Sequence, residues 1–504
     1  MNAHAQPHIA VSLAAHTNAG KTTLARTLLG RDVGIIEDGE HTTLVADSYT
    51  WLQSDQGDSL LLWDTPGFGD SQRLLKRLDV LPDALGWFLS ETWDRLTDRG
   101  FYFSQRALRN VRDEADCVLY LINCAEDPEL TGYLDDEMQL LRWLDKPVII
   151  ILNQYGDALD EQRLGMELNR WRTLIAARYE WVRCVLELDA LSRCWIQEAD
   201  LIEALINALP EHSAALLRLQ QHWLTQQHGQ LIDAMAIVAK VLLETATDDE
   251  SVNATPAAWL RQAGAVEQAR MALTRRLDER LKTACDQLVA LYHIDIDEFT
   301  ELSTQLEMRL QPGRGLDNTR SSLMGSVVSG ILGGLSADVV SGGLSLGGGM
   351  LAGAVLGAAA GRLASAGINR VRGTRAPSLE WNPETLDALL PPLMMLYLAI
   401  AHCGRGRGPS PLIADSPRWQ RAIQTSLAER PPAELELIAW RTRLRQDPSQ
   451  YEAARTVIGG CLQGRLLDLL TSLHSPPESI MKSLRNFPVV SAQVDADRVK
   501  YSAG

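Results

Sequence analysis

Apolar residues in the first two hundred positions fall into two rhythms. Short unbroken runs, Ile9–Ala14, Cys117–Cys124 (CVLYLINC) and Val148–Asn153 (VIIILN), have the length and continuity of strands buried on both faces of a parallel sheet. Leu44–Leu52 and Ser59–Asp64 read as two strands joined by the polar turn Ser54-Asp55-Gln56-Gly57-Asp58, and Val182–Asp189 as a last strand. Helical spacing fills the intervals at Thr22–Leu29, Ser104–Glu114, Leu130–Trp143, Asp160–Ala177 and Ala199–Leu209, where Pro210 stops it. This alternation predicts an α/β P-loop NTPase domain over residues 1–210, with a mostly parallel sheet and helices on both faces.

Beyond Pro210 strand patterns largely stop, and residues 211–504 are expected to form an all-α domain. Helices are predicted at His212–Ala246, from the Thr255-Pro256 start onward, and at Pro383–Cys403, Pro417–Ala428, Ala433–Arg445 and Tyr451–Leu473. Leu273, Leu277, Leu281, Leu288 and Leu291 recur at helical spacing and read as bundle core. Gly404-Arg405-Gly406-Arg407-Gly408-Pro409 marks a break. One stretch differs from the rest. Leu323–Ile368 is glycine-rich and apolar, with a turn at Asp338–Ser345, then Gly349, Gly353, Gly357 and Gly361 at four-residue spacing, and arginines at both ends. It suits either a tightly packed helical hairpin or a pair of segments that enter a bilayer with both ends cytoplasmic. A membrane partner is therefore open, and so is a homodimer.

The chemistry begins where the first strand ends. Ala15-His16-Thr17-Asn18-Ala19-Gly20-Lys21-Thr22 lies between a strand and a helix, as a phosphate-binding loop must. Its backbone N–H groups wrap a phosphate at the positive end of the helix dipole. Ala15 stands where the first glycine of the motif usually is. Asn18, Ala19 and Gly20 supply the bend, Lys21 a point charge for the β and γ oxygens, Thr22 a hydroxyl for Mg²⁺, and Thr23 the next turn of the site. Asp64-Thr65-Pro66-Gly67 closes a second strand. There Asp64 can hold Mg²⁺ through water, and Gly67 can offer its N–H to a γ-phosphate. The polar stretch Arg31–Asp47 is the place for a switch loop, with Thr42 and Thr43 as the residues that close on the metal. Asn153-Gln154-Tyr155-Gly156-Asp157 is a degenerate guanine motif. Asn153 is in place, the usual lysine is Gln154, and Asp157 falls one residue late. Leu188-Asp189-Ala190 is the segment for a backbone contact to the base. His16 and the scattered cysteines read as structural.

These motifs resemble those of the translation-factor-related GTPases, closest to the Era and TrmE branch. The whole layout is similar to a bacterial family in which an Era-like domain is fused to an all-helical domain of unknown function. The resemblance implies GTP hydrolysed to GDP and phosphate as a molecular switch. Lys21, Thr43 and Gly67 would serve catalysis, and Thr22, Thr43 and Asp64 would hold Mg²⁺. It also implies that Asn18 helps hold K⁺, as an asparagine at that position does in some relatives of TrmE. Two departures stand out. Leu44 replaces the arginine usual after the switch threonine, and Phe68 occupies the place of the glutamine that orients water in Ras-like proteins. Phe68 fits the Era and TrmE branch, yet it leaves a non-hydrolysing nucleotide-bound scaffold as an alternative, with an ATPase as a third reading.

Charge and composition change this picture little. A net charge of −16 over 504 residues argues against a nucleic-acid partner. Seven cysteines without metal spacing suit reduced thiols in a cytoplasm. Met1 to Ile9 lack a basic, then apolar, leader pattern, so no secretory signal is expected. The location expected is cytoplasmic, with the inner face of the cytoplasmic membrane open. GTP and GDP are the expected ligands, with an unidentified protein partner.

Overall fold

The computed structural model describes residues 8–17, 19–31, 33, 47–69, 71–80, 99–129, 131–153, 161–190, 193–251, 263–294, 368–370, 378–402 and 417–486. The chain divides into two compact units. The first is Met1–Gln227 with His402–Pro411 and Pro476–Leu484, and the second is His228–Ala401 with Leu412–Ser475 and Arg485–Gly504. The division does not coincide with Pro210.

The first unit is built on a six-stranded sheet: β1 (His8–Ala15), β2 (Asp47–Gln53), β3 (Ser59–Asp64), β4 (Cys117–Asn123), β5 (Val148–Asn153) and β6 (Cys184–Glu187), in the order β2-β3-β1-β4-β5-β6. All neighbours are parallel except β2 and β3. The unbroken apolar runs lie in the middle, as burial on both faces demands. In β4 the two-residue alternation sends Val118, Tyr120 and Ile122 into one core cluster with Phe101, Met138 and Trp171. Leu119 and Leu121 point the other way and are just as dry. The β2–β3 pair is a hairpin whose turn is tied by Gly57 N–H donating to Ser54 O and Ser54 N–H donating to Asp58 O.

Helices α1 (Lys21–Leu29), α2 (Ser71–Val80), α3 (Arg99–Asp113), α4 (Gly132–Leu144), α5 (Glu161–Arg178) and α6 (Trp195–Ala208) alternate with the strands. Helix α1 is framed by glycines in the left-handed region, Gly20 at φ 89° before it and Gly30 at φ 62° after it, a conformation that costs other residues a steric penalty. β3 and β4 flank β1 on opposite sides. The loop after β1 therefore opens at the point where the strand order reverses, the usual position of a ligand crevice in such sheets.

The rest of the described chain is largely helical: α7 (Ser213–Thr247), α8 (Ala263–Leu291), α9 (Pro383–Ala388), α10 (Leu390–Ala401), α11 (Pro417–Glu429), α12 (Leu437–Gln446), α13 (Tyr451–His474) and α14 (Glu478–Asn486). Leu273, Leu277, Leu281 and Leu288 of α8 are buried, as their spacing predicts. Three differences from the sequence reading have local causes. A small antiparallel sheet, β7 (Asp249–Ser251), β9 (Ser378–Trp381) and β8 (Ile368–Arg370), joins the helices. Its strands are three or four residues long, too short for a period of two to register. The predicted helix from Pro383 is broken at Leu389, and α14 follows Pro477 without having been foreseen. The Thr255-Pro256 start, the 404–409 break and positions 323–367 of the glycine-rich stretch lie outside the described residues.

The small sheet is held by a buried guanidinium. Arg441 of α12 donates to Ala246 O and Trp381 O, and it pairs with Glu380, itself also paired with Arg445. Removing it takes the donor from two carbonyls and leaves Glu380, 4 % exposed, with Arg445 as its remaining ion pair. Arg441→Ala is expected to destabilise the second unit by about 2 kcal/mol, because two carbonyls and one oxygen of a buried carboxylate lose their donor, and chemical denaturation of the full chain checks this.

Candidate functional site

The ends of β1 and β3 lie side by side, with Leu13 opposite Asp64 in the parallel register. That pairing places the loop after β1 against the segment Asp64-Thr65-Pro66-Gly67. Two bonds fix the second segment to the first: Thr65 Oγ1 donates to Leu13 O at 2.5 Å, and Phe68 N–H donates to Ala15 O at 3.1 Å. Phe68 itself is fully buried in the core beside Phe101. Its ring therefore faces away from any ligand at the loop.

Lys21 and Thr22 open α1 beside these strand ends. The Lys21 ammonium donates to His16 O at 3.3 Å, and Thr22 Oγ1 donates to Asp64 Oδ2 at 2.7 Å. Both charged groups are buried, Lys21 at 8 % exposure and Asp64 at 1 %. Burial drives Lys21 below the usual lysine range, partly offset by the negative charges of Asp64 and Glu137. Burial likewise pushes the Asp64 carboxyl up to about 6, against the pull of the Thr22 hydroxyl and the Lys21 charge. Two neighbouring groups, each held away from its charged form, mark a place that an anion and a cation together would complete.

Asp64 Oδ1 is buried and accepts no hydrogen bond from the described residues. A hydroxyl and a carboxylate with one lone oxygen are hard donors suited to Mg²⁺, which keeps most of its shell as water and phosphate oxygen. Among the described residues no three His, Cys, Asp or Glu side chains gather into a metal site. Gly67 faces Lys21 closely. A Cβ there would sit 3.1 Å from Lys21 Nζ and 3.2 Å from Thr17 Cα, close enough that the lysine tip or the loop would have to give by a few tenths of an ångström.

Residues 10–154 match the family described as 50S ribosome-binding GTPase, and residues 179–458, more than half of the chain, match the family described as Domain of unknown function (DUF3482). The chain belongs to the DUF3482 family, behind a P-loop GTPase domain. No curated protein matches it. Among solved structures, Era from Aquifex aeolicus bound to GDP·AlF4⁻ is 20 % identical, covering 36 % of this chain and 52 % of that one, with a TM-score of 0.28. Elongation factor SelB from Methanococcus maripaludis is 14 % identical over 37 % of this chain and 30 % of that one, at 0.24. The SsGBP–GDP complex is 18 % identical over 45 % and 53 %, at 0.25. The chain thus spans about half the length of the Era structure it resembles.

Within this GTPase domain the structure brings together Ala19, Gly20, Lys21, Thr22, Asp64 and Gly67 at the ends of β1 and β3. Thr23 lies on α1 beside them and is half-buried. Asn18, Thr42, Thr43 and Asp157 lie outside the described residues. Asn153, at the end of β5, is fully buried. Its Nδ2 donates to Ala19 O at 2.9 Å and its Oδ1 accepts from Ala190 N–H at 2.8 Å. One side chain thereby ties the phosphate-type loop to the segment after β6, which Thr27 also grips through Ala190 O.

Sequence reasoning missed Glu137, a fully buried carboxylate that His16 and Tyr120 reach. It lies three residues after Leu134 on the stripe Leu134, Met138, Leu141, and an acid on an apolar stripe was the available sign. The Asn153 bridge gives a direct expectation. Asn153→Ala leaves Ala19 O and Ala190 N–H without this partner and should cost about 2 kcal/mol of stability in the ligand-free protein, with a lower thermal midpoint as the readout.

Proposed function

We propose that the chain binds GTP with Mg²⁺ in the loop 15–22 and hydrolyses it to GDP and phosphate as a molecular switch. The observation that carries this reading is the buried Lys21–Thr22–Asp64 cluster with a lone carboxylate oxygen, set against Gly67 at the mouth of a left-handed Gly20. In this reading Lys21 binds the β and γ oxygens, and Thr22, Thr43 and Asp64 hold the metal. Gly67 N–H meets the γ-phosphate, and Asn153 and Asp157 serve the base. The bound Mg²⁺ supplies charge that offsets the phosphate oxygens. The chain's own part is to position: a rigid loop, a desolvated ammonium, and strand ends that exclude water.

A line of contacts within the first unit, from the metal position to the start of α7, is part of this reading. The β2–β3 hairpin has Asp47 paired with Asp64 at one end. At its other end, Asp58 accepts two bonds at 2.7 Å from Arg218 of α7. The guanidinium holds the Asp58 carboxyl below the usual carboxylate range. A shift of the hairpin at the metal would thus reach α7.

A second reading, a nucleotide-bound scaffold that turns over little, is favoured by Phe68. Its buried ring cannot orient an attacking water. Cytoplasmic location, with association at the inner membrane face through 323–368, completes the proposal. The described apolar stretch Pro383–Ala401 is long enough to cross a bilayer, but its 18-residue window is 67 % buried and suits a core helix. Among partners, GTP and GDP follow from the family; a protein partner and a homodimer are part of the proposal.

Phosphate release by the full chain from GTP and from ATP, with a Lys21→Ala control, separates these readings. Release from GTP that Lys21→Ala abolishes is the expected result. Tight GTP binding without release supports the scaffold, and a preference for ATP overturns the guanine reading. Faster turnover in potassium than in sodium is expected if Asn18 helps hold K⁺, and equal rates would remove that role.

A further inference from the structure

A carboxylate with no solvent exposure is costly unless each oxygen is satisfied. Glu137 of α4 is such a group. Its Oε1 accepts from His16 Nδ1 at 2.7 Å, and its Oε2 accepts from the Tyr120 hydroxyl at 2.7 Å. Both are well-formed hydrogen bonds to a carboxyl oxygen, and they oppose the burial that pushes Glu137 above the usual carboxylate range. Tyr120 belongs to β4 and is itself buried. His16 belongs to the loop after β1 and is half-buried. The carboxylate therefore joins the sheet, α4 and the loop at one point.

The imidazole is held on its face as well as its edge. It stacks on Tyr133 with ring centroids 3.9 Å apart and planes 17° from parallel. Tyr133 is fixed in turn by its hydroxyl donating to Glu126 Oε2 at 2.7 Å. A half-buried loop side chain needs no such support for the fold alone. The support matters because of what His16 does with its backbone: its carbonyl accepts from Lys21 Nζ. A line of contacts thus runs from Glu137 through the ring and main chain of His16 to the ammonium. Glu137 also acts on Lys21 through space, as one of two carboxylates whose charge favours the protonated amine.

We propose that Glu137 is a positioning residue of the phosphate site, acting through His16 to fix the loop 15–17 and the direction of the Lys21 side chain. The inference rests on the reading that Lys21 binds nucleotide phosphate. Charge-assisted support of this kind works by pre-organisation, holding donors where the ligand's charge will lie. Its loss loosens the loop without removing any group that touches the nucleotide.

The test uses the full chain and a fluorescent GTP analogue in Mg²⁺, with thermal melting as a fold control. In the folded Glu137→Gln and His16→Ala variants, Kd should rise roughly tenfold, at the lower end of what removing a supporting residue costs in other sites. The double variant should be no weaker than the worse single one, since both cut the same line. His16→Gln, whose amide can still donate to Glu137, should recover part of the affinity. If Glu137→Gln does not fold, His16→Ala and His16→Gln carry the comparison from the loop side. A folded Glu137→Gln or His16→Ala with unchanged Kd, or losses that add in the double variant, would overturn the proposal while leaving nucleotide binding standing. A wild-type chain that binds no nucleotide removes both this proposal and the reading beneath it.

Discussion

The structure depends on the burial of two opposite charges at adjacent strand ends. Lys21 and Asp64 are brought together by the parallel pairing of β1 with β3, and neither is fully compensated by the other. The ammonium is held low and the carboxyl high by loss of water, and one carboxylate oxygen has no partner among the described residues. A folded chain tolerates this cost when the missing partners arrive with a ligand. Under the proposed function, a triphosphate with its divalent cation would supply charge of both signs beside these two groups. Much of the surrounding detail serves the same constraint. Thr65 and Phe68 fasten the β3 end to β1, Gly67 leaves room for the ammonium, and Asn153 closes the loop from behind.

The central sheet was legible because its strands are buried on both faces. Continuous runs such as CVLYLIN and VIIILN have few other uses at that length. The loop was legible because phosphate binding restricts both the order of its residues and its place between strand and helix. Residues whose importance comes from tertiary contact left weaker traces. Asn153 was visible as part of a motif, but its bond to Ala190 links positions 37 residues apart and belongs to the fold. Glu137 sits beside Asp135 and Asp136 and looks like one more acid on a surface helix until its partners are known. Arg218 is similarly ordinary until the turn at Asp58 meets it.

The helical region was read in outline for a related reason. Leucines at helical spacing report burial, and those of α8 are buried. Three-residue strands carry no periodicity, so β7, β8 and β9 are set by Arg441 and its carbonyl partners, which no local pattern announces. Family membership of this region defines its limits and its kinship, while its chemistry has to be found in contacts such as these.

The most direct measurement is a crystal structure of the full chain grown with a non-hydrolysable GTP analogue and Mn²⁺, whose anomalous scattering locates the metal. The account predicts phosphates wrapped by the main chain of residues 15–22, Lys21 on their oxygens, and a manganese peak beside Thr22 and Asp64 that replaces their mutual hydrogen bond. Nucleotide bound elsewhere, or a loop filled by its own side chains with Lys21 turned away, would contradict it.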